Sequence, residues 1–183
     1  NVEDMPTAAR ALPPHSVVYA ELPTNPLIRL ADVAAIRREA PEDARLIVDA
    51  TFATPVNVQV LALGADLVVH SATKYLGGHH DLIAGVVSGA GELMERAWRI
   101  SKLFGPVLDP AAAYRLWRGL ETLPLRVARQ NETAASLALR LDAHPRVERV
   151  HYPTLTSHPD HALASRSMTG CGGASESRAM SRA

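Results

Sequence analysis

The chain has 183 residues, 47% of them hydrophobic, and its 19 basic and 19 acidic side chains cancel to a formal charge of zero. That length suits one medium domain with a real core and excludes a wholly disordered chain. The balanced charge, without a long basic run, excludes the electrostatic footprint of a nucleic-acid binder. Cys171 is the single cysteine, so no internal disulfide framework is expected and a reducing compartment, the cytoplasm, is the expected location. Apolar runs such as Leu46-Ile47-Val48 and Leu67-Val68-Val69 fall far short of the ~18 residues that a membrane-spanning helix requires.

Taken in chain order, residues 16–22, 44–51, 66–73 and 83–88 read as short β-branched strands that end in polar residues. Between them lie helical patterns: 31–40, where Leu30, Val33 and Ile36 share a face, and a shorter one at 57–63. Strands alternating with helices imply an α/β fold with a parallel-rich, buried sheet flanked by helices. The pattern then turns helical. Leu93, Ala97, Ile100 and Phe104 predict an amphipathic helix over 92–104. Asp109-Pro110 is a helix start, a capping acid followed by proline at the first helical position. Ala113, Leu116, Trp117 and Leu120 continue that helix to a stop or kink near Pro124, and Val127, Ala134, Ala138 and Leu141 mark the next one. A strand at 147–152 is punctuated by Pro145, Pro153 and Pro159 and opens a different unit. From Thr169 the periodic apolar pattern ends, which predicts a loose tail. The expected organisation is therefore 1–144 as one domain, 145–168 as the start of a second, and 169–183 as a disordered or aberrant tail.

In a parallel sheet, ligands bind outside the carboxyl ends of the strands. The first strand ends in Glu21-Leu22-Pro23-Thr24-Asn25-Pro26, the second in Asp49-Ala50-Thr51, and the third in His70-Ser71-Ala72-Thr73-Lys74-Tyr75. An acid closing an apolar run is costly to bury unless a cation meets it, and a lysine among hydroxyls suits an amine held near a phosphate. These are the parts of a pyridoxal phosphate site: Lys74 for the Schiff base, Asp49 for the pyridine nitrogen, and the hydroxyls of Ser71 and Thr73 for the phosphate. Asn25, extended before a proline, is placed to contact the cofactor or a substrate carboxylate. Gly77 and Gly78 give the chain freedom to pass close to the cofactor.

The segments from Glu21 to Pro26, from Val48 to Pro55 and from Leu63 to His79, in this order, resemble the sulfur amino acid (trans-sulfuration) family of pyridoxal phosphate enzymes. That family includes the cystathionine γ-synthases and γ-lyases, methionine γ-lyase and the O-acylhomoserine sulfhydrylases. The similarity continues through Leu108-Asp109-Pro110, the run from Arg118 to Leu123 and His151-Tyr152-Pro153 to about Gly173. The resemblance implies a fold-type-I large domain, Lys74 as cofactor anchor and general base, Asp49 as partner of the pyridine nitrogen, Ser71 and Thr73 as phosphate ligands, and Asn25 as a cofactor or substrate contact. One departure is Ala50, where members usually carry asparagine. The expected reaction is γ-replacement on an activated homoserine to give cystathionine or a related thioether, with γ-elimination as the alternative. The expected partners are an amino-acid substrate and further copies of the parent chain, a dimer of dimers. Members are about twice as long, with a glycine-rich phosphate loop, a ring-stacking aromatic and a substrate-gripping arginine that have no matching position here. The chain is accordingly expected to be an internal piece, catalytically silent by itself, whose last ten residues derive from a shifted reading frame.

The remaining candidates carry blander expectations. His70, His79 and His80 lack a second ligand cluster and read as loop or packing residues rather than a metal site. Gly77-Gly78-His79-His80 is not a dinucleotide loop, and Trp98 and Trp117 read as core or interface residues.

Overall fold

A computed structural model describes residues 1–173 and 176–179. After a short 3-10 helix at Val2–Asp4 and helix α1 (Met5–Arg10), the chain enters β1 (Val17–Glu21). Helix α2 (Val33–Glu39) follows, capped by Asp32, whose carboxylate accepts from the Ala35 amide at 3.0 Å. Val33 and Ile36 of the predicted face are buried, as is Leu30 just before the helix, and Ala35 is buried with them. Strand β2 (Arg45–Asp49), the short α3 (Thr54–Asn57) and β3 (Leu67–Ser71) complete the alternating part. The helix expected at 57–63 is not there. α3 ends at Asn57, and residues 60–64 form a turn. Pro55 starts that helix early, and the Asn57 side chain is drawn into a reciprocal amide pair with Asn131 at 2.8 and 3.2 Å.

The sheet has the order β1-β2-β3-β4, parallel across its first two pairs. Strand β4 (Gly85–Gly89) runs antiparallel to β3, which the pattern of apolar runs does not predict. The reason is the connection: residues 72–84 contain turns and no crossover helix, so the chain folds back alongside β3 rather than returning to a parallel start. Leu46, Val48, Ala20 and Val68 point from the sheet into the main core beside Ile36 and Leu30. Burying each large aliphatic side chain there contributes about 1.5–3 kcal/mol.

Three helices follow: α4 (Gly91–Phe104), α5 (Pro110–Glu121) and α6 (Leu123–Asp142). Asp109 caps α5 as read from sequence, accepting from the amides of Ala111 and Ala112 at 2.9 and 3.1 Å. Val127, Ala134 and Ala138 of α6 are buried on the expected stripe. α4 has the expected amphipathic pattern but buries no residue. Its apolar side stays open, with Ile100, Leu103 and Phe104 57, 76 and 82% exposed, and Trp98 on another side of the helix is 64% exposed. Trp98 and Trp117 are therefore not core residues within this chain.

Strand β5 (Val147–His151), α7 (His161–Ser167) and β6 (Glu176–Ala179) close the chain, β5 and β6 pairing antiparallel. Val150, Tyr152, Leu155 and Ala164 share one core with the sheet, so packing is continuous past residue 144. The loose tail expected from Thr169 is corrected over 169–173 and 176–179. Cys171 is buried, Gly172 donates to Asn131 Oδ1 at 2.9 Å, and Thr169 N donates to Asn57 O at 2.9 Å. These partners lie far away in sequence, so local periodicity carries no trace of them. The rest of the expected tail, 174–175 and 180–183, lies outside the described residues.

Candidate active site

Three adjacent parallel strands end on the same edge, and each delivers one of the motifs. Register places Glu21 beside Asp49 and Asp49 beside Val69. Because side chains alternate along a strand, Tyr19, Glu21, Asp49, Val69 and Ser71 share one face of the sheet. His70 points to the opposite, buried face.

Asp49 is held at both oxygens. Its Oδ1 accepts from the Thr51 amide at 2.9 Å, a local turn closed by the acid itself, and its Oδ2 accepts from the Tyr19 hydroxyl at 3.2 Å. Among the described residues its partners are neutral donors, and no cation pairs with it. Thr51 ties the second strand to the third, its hydroxyl oxygen accepting from the Ser71 amide at 2.7 Å. Ser71 thereby keeps a fixed backbone while its own hydroxyl has no partner among the described residues.

Thr73 and Lys74 sit in the turn directly after β3. The Thr73 hydroxyl accepts from the Ala84 amide at 3.1 Å, and Ala84 O lies 3.4 Å away. That geometry uses a lone pair and leaves the hydroxyl proton weakly engaged. Lys74 is exposed, and its turn is closed by Lys74 N to Ser71 O at 3.1 Å and Gly78 N to Lys74 O at 2.9 Å. The side chain lines an open cavity of about 370 Å³ with Phe52, Tyr75, His80, Arg126 and Gln130. Asn25 is exposed at the end of β1, its backbone amide donating to Glu21 Oε2 at 3.1 Å. The structure thus brings Asp49, Ser71, Thr73, Lys74 and Asn25 to one edge of the sheet, and engages Asn25 through its backbone rather than its side chain.

Behind the site, His70 is 5% exposed and its Nδ1 has no hydrogen-bond partner. Burial pushes its pKa down from the ordinary histidine value, against the opposing pull of Asp49. Tyr19 shows the reverse. Partial burial, then the neighbouring carboxylates of Asp49 and Glu21, raise its pKa. Burial likewise pushes the Cys171 thiol up to about 12, which removes it from consideration as a nucleophile. Among the described residues there is no cluster of three or more His, Cys, Asp or Glu that could hold a metal. No described helix is long and apolar enough to cross a membrane.

Sequence reasoning missed Tyr19, Thr51 and Arg126 as parts of the site. Alternation puts Tyr19 on the face of Glu21, a signal present in the sequence. That the face is also that of Asp49 depends on the β1–β2 register, and nothing local announces Arg126.

The donor set suits pyridoxal phosphate. An accessible amine, a carboxylate fixed by two neutral donors and an unpartnered hydroxyl all stand on one open edge. Comparison with known proteins agrees. The sequence profile of the Cys/Met metabolism PLP-dependent enzymes matches residues 2–177. The chain is 50% identical over 159 residues to "Probable cystathionine gamma-synthase 2" of Arabidopsis thaliana, covering 86% of this chain and 39% of that protein. It is 43% identical over 173 residues to cystathionine gamma-synthase of Mycobacterium bovis, covering 93% and 45%. Among solved structures it resembles apo CalE6, a methionine gamma lyase from Micromonospora echinospora, with a TM-score of 0.91, 40% identity, and coverage of 97% of this chain and 49% of that one. It also resembles cystathionine gamma-synthase from Xanthomonas oryzae pv. oryzae in complex with cystathionine, with a TM-score of 0.88, 36% identity, and coverage of 91% and 43%. The chain spans less than half the length of these relatives. With its profile matched almost from end to end, the chain belongs to the Cys/Met metabolism family of pyridoxal phosphate-dependent enzymes.

Proposed function

We propose that this chain carries the lysine-bearing half of a pyridoxal phosphate site in an enzyme of sulfur amino acid metabolism. The reaction we assign to the parent protein is γ-replacement on an activated homoserine, giving cystathionine or a related thioether. The observation that carries the reading is the shared edge of Asp49, Ser71 and Lys74 at the ends of two adjacent parallel strands. Relatives at 43 and 50% identity bear the synthase name, which favours replacement over elimination. The lyase name of the structure at 40% identity keeps γ-elimination as the second reading.

Bound there, the cofactor would supply an electron-withdrawing ring that stabilises negative charge on the substrate carbon. The protein's own groups have distinct tasks. Asp49, held by the Tyr19 hydroxyl and the Thr51 amide, would accept the hydrogen bond of a protonated pyridine nitrogen, the cation its position lacks. The Ser71 and Thr73 hydroxyls donate to phosphate oxygens. Lys74 would hold the cofactor through its Nζ, and the same amine would serve to accept and return protons beside the substrate carbon. Asn25 offers its side-chain amide to the cofactor or to a substrate carboxylate.

Residues 1–144 then form part of the cofactor domain, and 145–168 open a second one. The open apolar side of α4 fits a parent that assembles as a homo-oligomer, a dimer of dimers, and the lone Cys171 fits the cytoplasm.

The test is direct. Pyridoxal phosphate added to the purified chain should give the yellow absorbance of a lysine-bound cofactor, and the Lys74→Ala variant should lack it. Absence of Lys74-dependent absorbance in the unaltered chain overturns the cofactor site. Absorbance without conversion of activated homoserine and cysteine leaves the site standing and assigns turnover to segments outside this chain.

A further inference from the structure

The turn that carries Lys74 is gripped by one residue of α6, Arg126, which lines the same cavity. Arg126 Nη1 donates to Tyr75 O at 2.8 Å, and Nη2 donates to Gly119 O at 2.7 Å and, at longer range, to Leu76 O at 3.4 Å. Its Nε donates to the Thr122 hydroxyl at 3.1 Å. Four donor contacts thus join the two carbonyls that follow Lys74 to the junction of α5 and α6. The fixed planar fork of a guanidinium suits this arrangement, which a flexible ammonium cannot reproduce. Burial pushes the guanidinium pKa down from its ordinary value, and all four acceptors are neutral.

Two glycines show independently how closely these parts approach. A Cβ on Gly119 would lie 2.5 Å from Gly77 O and 2.6 Å from Leu76 O, so only glycine lets the end of α5 rest on this backbone. Gly78 has φ +75°, and a Cβ there would collide with the Arg126 guanidinium. Within itself the turn closes through Lys74 N to Ser71 O and Gly77 N to Ala72 O. Its outward carbonyls at 75 and 76 have Arg126 as their side-chain partner.

We propose that Arg126 is a positioning residue for Lys74: by holding the Tyr75 and Leu76 carbonyls against the α5–α6 junction, it fixes the direction in which the lysine leaves the sheet edge. This rests on Lys74 being the cofactor lysine, and the test keeps the two claims apart. The chain has two lysines, and Lys102 on α4, lying over the Trp98 ring, is an internal control far from the clamp in sequence.

The full 183-residue chain and its Arg126→Gln and Arg126→Lys variants are compared in two measurements. The first is hydrogen exchange, in which Arg126→Gln should speed exchange at Gly77 and Gly78 about tenfold while the β2 amides keep their rates. The second is capture of pyridoxal phosphate by borohydride reduction, read by peptide mapping as the ratio of Lys74 to Lys102. That ratio should fall several-fold in Arg126→Gln and recover only partly in Arg126→Lys. Unchanged exchange at 77–78 overturns the clamp, as does acceleration spread evenly over the whole chain. If exchange responds but the capture ratio does not, Arg126 is a structural staple and the positioning role is overturned. Failure of Lys74 to capture cofactor in the unaltered chain refutes the cofactor reading, and with it positioning, while exchange still decides whether the clamp exists. Should Arg126→Gln fail to fold, Thr122→Val removes the Nε contact and the long Thr122 hydroxyl bond to Gly119 O at 3.4 Å, keeps the three Nη contacts, and should shift both readouts less, in the same direction. No shift in either then counts against the proposal.

Discussion

The phenol of Tyr19 donates to Asp49 Oδ2 at 3.2 Å across the β1–β2 pair, beside a second carboxylate, Glu21, that stands opposite Asp49 in register. Two acids facing each other on neighbouring strands repel. The sheet offsets this with local donors: Tyr19 and the Thr51 amide for Asp49, and the Asn25 amide for Glu21. Asp49→Asn should therefore lower the pKa of the Tyr19 phenol toward its ordinary value, leaving the parts due to burial and to Glu21. Phenolate absorbance followed against pH, with Tyr19→Phe to identify the residue, measures this. An unmoved Tyr19 titration would show that the phenol and the acid do not interact.

Arg29 and Asp160 join the loop after β1 to the segment before α7, 131 residues apart. Arg29 Nε donates to Asp160 Oδ2 at 2.7 Å, Nη2 to Oδ1 at 3.1 Å, and the Leu30 amide to Oδ2 at 2.9 Å. Their side chains are 18 and 11% exposed, so removing one leaves its partner poorly solvated. Asp160→Ala leaves Arg29 its second acid, Glu3, whose Oε1 accepts from Nη2 at 2.5 Å, but strips the Arg29 Nε and the Leu30 amide of their acceptor, and should cost about 2 kcal/mol. Denaturant unfolding reads it, and a loss below about 1 kcal/mol would place the pair among ordinary surface bridges.

Stability should fall on mild acidification. His70 and His158 are buried, and desolvation lowers both pKa values below the ordinary 6.5. In the unfolded chain they take up protons near that value, while in the folded chain they stay neutral to lower pH. The stability they contribute is therefore complete above the unfolded pKa and is lost as pH falls below it. The slope is at most about 1.4 kcal/mol per pH unit for each histidine. His158 Nδ1 accepts from the Asp160 amide at 3.1 Å, a role that a protonated ring cannot fill. His158→Gln should flatten the dependence between about pH 7 and 5.5 in chemical unfolding. A slope identical to that of the unaltered chain would clear His158 of any part in it. Asp160 adds its own loss at more acid pH. Burial would raise its pKa, but hydrogen bonds from Arg29 and the Leu30 amide outweigh that and bring it below the usual carboxylate value.

The open side of α4 predicts concentration-dependent association of the isolated chain. Ile100, Leu103 and Phe104, neighbours at helical spacing on α4, are 57, 76 and 82% exposed, and Val107 just beyond the helix is 72% exposed. A contiguous apolar patch of this kind drives self-association. Leu103→Glu with Phe104→Glu should lower the weight-average mass in sedimentation and leave the unfolding midpoint within about 0.5 kcal/mol, as expected for surface positions. A drop in stability larger than that would mean the side chains are packed rather than open.

The alternation of β-branched runs with apolar helical spacing determined the α/β class, and Asp109-Pro110 determined a helix start, because both depend on periodicities and caps that act within a few residues. The placement of Lys74, Asp49, Ser71, Thr73 and Asn25 on one sheet edge was legible for a similar reason: each closes a strand or follows one within a few residues, and strand ends in such a sheet converge. The antiparallel course of β4 was not legible, since it follows from how little chain lies between Ser71 and Gly85 and how that chain turns. Pairing of Tyr19 with Asp49 required the β1–β2 register. The packing of 169–173 required Asn57, Asn131 and Tyr152, and the grip on the lysine turn required Arg126, 52 residues beyond Lys74. Only the tertiary structure decided these, because a hydrogen bond between residues distant along the chain leaves no local pattern and exists only once burial of the core has brought its donor and acceptor together.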